Sequence, residues 1–179
     1  MRKVPVEVQF APDFARLKAV SDTYRARRQE LDDAAERMRN EAIRLTRKGW
    51  RESRPKQTAR VAATTRWTHQ YVARLAGEGW DRTLNGTVEA AGEEDFSALS
   101  ELSAQVLNLT ARCDRLEGVV RAEAVRLARE GKRLRRYGQV AAVARVTGWT
   151  REHVDRLAKA PDSAGRAGGR GLPDSKSAA

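Results

Sequence analysis

The chain's 179 residues and 20.0 kDa allow one domain of ordinary size or two small ones, and exclude a large multidomain enzyme. Charged residues make up 33% against 40% hydrophobic and 6% aromatic, a balance that suits thin helical layers better than one thick core. The excess of 35 Lys+Arg over 24 Asp+Glu, +11 in all, favours an anionic partner such as nucleic acid or an acidic membrane face.

The residues exclude several classes of chemistry. The longest apolar run, Val140 to Ala144, falls far short of the ~20 residues a membrane span needs. Met1-Arg2-Lys3-Val4-Pro5-Val6 has charge but no apolar stretch behind it, so no signal peptide is expected and a cytoplasmic location is. Cys113 is the sole cysteine and His69 and His153 the only histidines. That set forms no intrachain disulfide, no closed zinc site and no Cys- or His-based catalytic centre, so neither metal, cofactor nor enzymatic activity is expected.

In chain order, Val4, Val6, Val8 and Phe10 alternate with polar residues and Pro5, as in a short edge strand. A long helix follows, opened by Asp13 as N-cap and closed by Gly49 after a basic last turn. Tyr24, Leu31, Ala35, Met38, Ala42 and Leu45 form its apolar seam, which Arg28 interrupts. Two short helices, a tight turn between them, occupy the stretch around Gln57 to Ala76. Thr83-Leu84-Asn85-Gly86-Thr87-Val88 then places an Asn-Gly turn between β-prone residues, pointing to a small hairpin near 80–89.

The chain next repeats itself. At an offset of 82, Gln57–Ala76 aligns with Gln139–Ala158 at 11 identical positions of 20. Upstream, Glu41, Ala42, Arg44, Leu45, Arg47, Gly49 and Arg51 recur as Glu123, Ala124, Arg126, Leu127, Arg129, Gly131 and Arg133, and Asp13-Phe14 and Leu17 as Asp95-Phe96 and Leu99. The second long helix, from Asp95 to Gly131, carries a better heptad seam: Leu99, Leu102, Val106, Leu109, Cys113, Leu116 and Val120. The expected fold is therefore all-α, a duplicated module of one long coiled-coil-like helix plus two short helices. Residues 1–81 form the first module, 82–94 a linker, 95–158 the second, and 159–179, rich in Gly, Ser, Pro and Ala, a disordered tail.

In the second copy, Val143 and Ala144 precede Thr147-Gly148-Trp149, and Val154 and Leu157 follow. The first copy keeps Val61, Ala62, Trp67, Val72 and Leu75 but has Arg66 where Gly148 stands. This pattern resembles the helix-turn-helix superfamily of DNA-binding proteins over about 21 residues of each copy. The local chemistry agrees: Thr68 and Thr150 suit N-caps, and Trp67 with Val72 and Trp149 with Val154 suit hydrophobic staples, so the tryptophans are expected as core wedges.

The resemblance implies that the start of each second short helix meets base edges in the major groove of double-stranded DNA. The base-reading positions are Thr68, His69, Gln70 and Arg74 in one copy and Thr150, Arg151, Glu152 and Arg156 in the other. Gln70 suits adenine, Arg151 guanine, and Glu152 either cytosine N4 or the side chain of Arg156, so the copies should prefer unlike sequences. His153, beside the core stripe, is expected on a solvated face. Arg51, Arg54 and Lys56 before one pair of short helices, and Lys132, Arg133, Arg135 and Arg136 before the other, are placed to meet phosphates. Residues 50–80 carry six basic and two acidic side chains and 131–158 seven and two, whereas 95–130 carry five and six, so the surplus sits mainly on the paired short helices and the residues before them.

The implied function is a transcription regulator or a plasmid- or phage-type DNA-organising factor, nucleoid-associated. It acts as a single-chain pseudodimer with its long helices parallel, or as a homodimer through those helices. The alternatives are a coiled-coil structural or adaptor protein acting through protein contacts, and a non-specific architectural DNA-binding protein.

Overall fold

The computed structural model describes residues 11–54, 56–79 and 96–160. Six helices occupy them, and no strand occurs among the described residues. They are α1 (Ala11–Arg51), α2 (Gln57–Thr65), α3 (His69–Gly77), α4 (Ser97–Arg133), α5 (Gln139–Thr147) and α6 (Arg151–Lys159). The expected strand at 4–10, the hairpin near 80–89, Asp95 and the tail after 160 lie outside the described residues. No described helix is long and apolar enough to cross a membrane.

Two compact units emerge, and they do not coincide with the repeat copies. A central unit comprises 22–118; a terminal unit joins 11–21 to 119–160 among the described residues. Each thus takes the opening turns of the other copy's long helix.

In the central unit, Met38, Ala42 and Leu45 of α1 bury against Val61, Ala62 and Val72 of the short helices, and Leu99 of α4 closes the cluster with Phe96 and Leu102 at its edge. Leu31 and Ala34 pack with Leu109 and Cys113, with Tyr24 and Val106 alongside. Numbers rising along α1 meet numbers falling along α4, so the two helices pair antiparallel within the chain. The parallel packing that a same-end pseudodimer requires is absent from this unit. The physical reason is Phe96 and Leu99: at the start of α4, they complete a core built at the end of α1. The seams of this unit are filled from within the chain.

The expected seam of α4 is buried or half-buried throughout, from Leu99 to Val120. On α1 the inward residue is Ala34, fully buried, rather than half-buried Ala35, because Leu31, Ala34, Met38, Ala42 and Leu45 make one continuous stripe. Arg28 stays exposed and pairs with Asp32 at 3.4 Å. Cys113 is buried, and that burial pushes its thiol pKa up.

In the terminal unit, Phe14 and Leu17 are buried, as are Val120, Ala124, Leu127, Val143 and Val154. Asp13 is not an N-cap. It lies inside the first turn of α1, where its carboxylate accepts a hydrogen bond from Arg136 at 2.7 Å.

Gly49 and Gly131 do not end their helices either, since α1 runs on to Arg51 and α4 to Arg133. Their role is close approach. The Gln57 side chain folds over Gly49 and donates to Leu45 O at 2.8 Å, and Gln139 folds over Gly131 and donates to Leu127 O at 2.7 Å. A Cβ at Gly49 would lie 2.5 Å from Gln57 Cβ, and one at Gly131 would lie 2.6 Å from Gln139 Cβ. After each long helix the chain returns through five residues, 52–56 and 134–138.

Two outcomes follow for thermal or urea unfolding. Gly131→Ala gains about 1 kcal/mol of helix propensity, yet overpacking against Gln139 makes it net destabilising by about 1–2 kcal/mol. Leu99→Ala, which empties a fully buried site, costs about 2–5 kcal/mol although it lies outside the first copy's own sequence.

Candidate nucleic-acid interface

Each pair of short helices is joined by one residue in the left-handed region. Gly148 adopts φ 77° and ψ 11°, and Arg66 in the same place adopts φ 60° and ψ 25°. The turn geometry is therefore kept in the first copy at the steric cost of a Cβ, about 1 kcal/mol. Trp67 and Trp149 follow, then the caps: Thr68 Oγ1 accepts from Tyr71 N and Thr150 Oγ1 from His153 N, both at 3.2 Å.

The far end of each second short helix is held by an arginine of the preceding long helix. Arg47 donates to Ala76 O at 2.9 Å and Glu78 O at 2.6 Å, and Arg129 donates to Ala158 O at 3.1 Å and Ala160 O at 2.6 Å. These guanidinium groups satisfy carbonyls that a helix terminus leaves without partners and place positive charge at its negative end. Cap and clasp recur 82 residues apart, so α3 and α6 are fixed at both ends in the same way.

With its ends fixed and Val72 or Val154 buried behind it, each helix presents a polar first turn. His69 and Gln70 are exposed on α3, and Arg151 and Glu152 on α6. Thr68 and Thr150 are exposed too, but their oxygens serve the caps, which leaves the hydroxyl proton to donate outward. Arg74 and Arg156 are exposed in the last turns; Arg74 lies over the Tyr71 ring at 5.4 Å. No ion pair joins Glu152 to Arg156 among the described residues; the carboxylate engaged on α6 is Asp155, which reaches Lys132 at 2.6 Å and Lys159 at 2.7 Å.

Trp67 packs against the central core, as a wedge should, and Trp67 and Tyr71 meet edge to face at 5.2 Å. The equivalent pair is Trp149 with His153, at 5.1 Å and 82°. His153 is thus half-buried against an indole rather than solvated. Position 71/153 was legible in principle, since it stands four residues after the tryptophan on one helical face. Trp50, whose indole donates to Thr58 Oγ1 at 3.2 Å, had no such signal.

Three of the seven phosphate candidates hold a carboxylate. Arg54 pairs with the buried Glu52 carboxylate at 2.9 Å, Lys132 with Asp155 and Arg136 with Asp13. Arg51, Lys56, Arg133 and Arg135 are exposed. The terminal unit gathers Lys132, Arg135, Arg136 and Arg151 around one cleft of about 380 Å³. In the central unit a cleft of about 250 Å³ brings Arg51 to Arg44, Lys48 and Glu52, and neither Arg54 nor Lys56 lines it.

No family model, curated protein or solved structure matches this chain.

Asp155 is the carboxylate most affected by these contacts. Its hydrogen bonds to Lys132 and Lys159 hold its pKa at about 2, below the ordinary 3.8. A depressed carboxylate contributes its share of stability above the ordinary value and loses it as pH falls toward 2. A carboxyl-detected NMR titration should place the Asp155 midpoint near 2, and in Lys132→Met it should rise toward 3.8. In the turns, Arg66→Gly should stabilise by about 0.5–1 kcal/mol and Gly148→Ala destabilise by about 1 kcal/mol in denaturant titrations.

Proposed function

We propose that the chain is a non-enzymatic, sequence-specific double-stranded DNA-binding protein of the helix-turn-helix kind. It serves as a transcription regulator or as a plasmid- or phage-type DNA-organising factor, nucleoid-associated and cytoplasmic. The observation that carries this reading is the paired presentation of α3 and α6. Each is capped by a threonine, clasped by an arginine, buried along one face and polar over its exposed first turn.

That arrangement suits entry of a helix start into a major groove. The exposed pairs differ in chemistry: Gln70 offers the amide that matches adenine N6 and N7, and Arg151 the fork that matches guanine O6 and N7. Glu152 accepts from cytosine N4. The two modules accordingly read unlike half-sites. Lys56, Arg133 and Arg135 contact phosphates and set register, while Arg51, Lys132, Arg54 and Arg136 reach phosphate by exchanging contacts they already make.

The test is selection of bound duplexes from a random pool at about 150 mM salt, where screening suppresses weak surface attraction. Enrichment of two unlike motifs is expected. Arg151→Ala should flatten preference at particular base pairs by about 1–3 kcal/mol, whereas Arg133→Ala should weaken every duplex alike and reduce the salt slope by about 1. Retention without enrichment overturns sequence specificity in favour of an architectural protein, and no retention favours an adaptor acting through protein contacts.

A further inference from the structure

The turn from α4 to α5 in the terminal unit has a feature that the module does not need. Tyr137 is 91% exposed, and its counterpart in the first copy is Pro55. A ring so placed adds nothing to the core. It sits between Arg135 at φ 50° and Gly138 at φ 88°, two left-handed residues that curl the backbone at the mouth of the 380 Å³ cleft.

The lining of that cleft is specific in charge and in hydrogen bonding. Lys132 and Arg136 are held by Asp155 and Asp13 at 2.6 and 2.7 Å, which fixes their positions and offsets their charge. Arg135 and Arg151 supply the surplus, two positive charges against the roughly −1.5 to −2 of a phosphomonoester. The first turn of α5 also lines the cleft, and Gly138 gives it no side-chain cap.

Gln139 is a further lining residue, 1% exposed, whose Oε1 is buried without a hydrogen-bond partner while its amide nitrogen is spent on Leu127 O. That oxygen is closed off from the cleft, so the choice between a bare anion and a nucleotide rests on Tyr137: an anion leaves its exposed ring unused, whereas a base stacks on it.

We propose that this cleft, when no duplex occupies Arg135 and Arg151, binds a nucleoside phosphate, with the phosphate between those two residues and the start of α5 and the base stacked on Tyr137. The volume falls in the range of small-molecule sites, about 300–1,000 Å³. The ligand is a free nucleotide or an unpaired nucleotide of a strand, and the chemistry of recognition is the same for both.

The experiment titrates the full-length protein at low salt with adenosine monophosphate, a 5′-phosphorylated thymidine tetranucleotide and inorganic phosphate, by calorimetry and by amide shifts at Gly131, Gly138 and Arg151. The nucleotide should bind at least about tenfold more tightly than inorganic phosphate, and Tyr137→Ala should remove about tenfold while Tyr137→Phe retains it. Because Tyr137 is exposed, neither change disturbs the fold, and unchanged far-UV dichroism checks this. Binding of adenosine monophosphate identifies a free ligand, and binding of the tetranucleotide alone identifies a strand; either supports the site. Equal affinity for inorganic phosphate, indifference to Tyr137→Ala, or no binding of any probe overturns it. No duplex is used, so failure here leaves the duplex-binding reading to its own test.

Discussion

A helix of nine residues is too short to persist alone in water, and four of the six described helices are that length. The exposed side chains of His69, Gln70, Arg151 and Glu152 are carried on them. Their existence rests on one constraint, the burial of their apolar faces against the long helices α1 and α4. Val61 and Val72 have α1 and the opening of α4 as their cover, and Gln57 and Gln139 bring the short helices hard against glycines that leave room for them. The long helices are the scaffold, and the short ones are the surface it displays.

The same scaffold sets the electrostatics. Arg47 and Arg129 spend their charge on helix ends, and Arg136, Lys132 and Arg54 spend theirs on carboxylates. The count of 35 Lys+Arg therefore overstates how many cations are open to a partner, although the net +11 already includes their carboxylates. What remains includes the cleft at the α4–α5 turn, lined by Lys132, Arg135, Arg136 and Arg151, and the acidic Asp155 that offsets it has only Ala73 as its counterpart in the first copy. The two modules share a frame and differ in the chemistry mounted on it.

Much of the frame was legible in the residues. Periodicity located the long helices and the α4 seam, and the repeat located the short helices, the threonine caps and the left-handed turn that Arg66 shares with Gly148. The misreadings have a common cause. Gly49 and Gly131 look like helix stops because glycine commonly ends helices, and only the approach of Gln57 and Gln139 shows that they are gaps for a side chain. Asp13 looks like a cap because nothing local reveals Arg136. Pairing direction was equally hidden, since a heptad seam is the same whether its partner runs up or down. For the candidate site, exposure of His69, Gln70, Arg151 and Glu152 was legible from helical phase, whereas the ion pairs that occupy Lys132, Arg54 and Arg136 depend on contacts distant in sequence.

The exchange of helix openings between copies also governs the order in which the chain is completed during synthesis. Until Phe96 and Leu99 have left the ribosome, Met38, Leu45, Val61 and Val72 lack their final cover. The terminal unit waits longer still: Phe14 and Leu17 are made almost first, yet the bond beside them joins Asp13 to Arg136 across 123 residues. Helical proteins fold fast when their contacts are local, and here the closing contacts are among the least local the chain allows. The nascent chain therefore carries an apolar helix opening without its partner through most of translation, a period in which chaperones have a surface to hold.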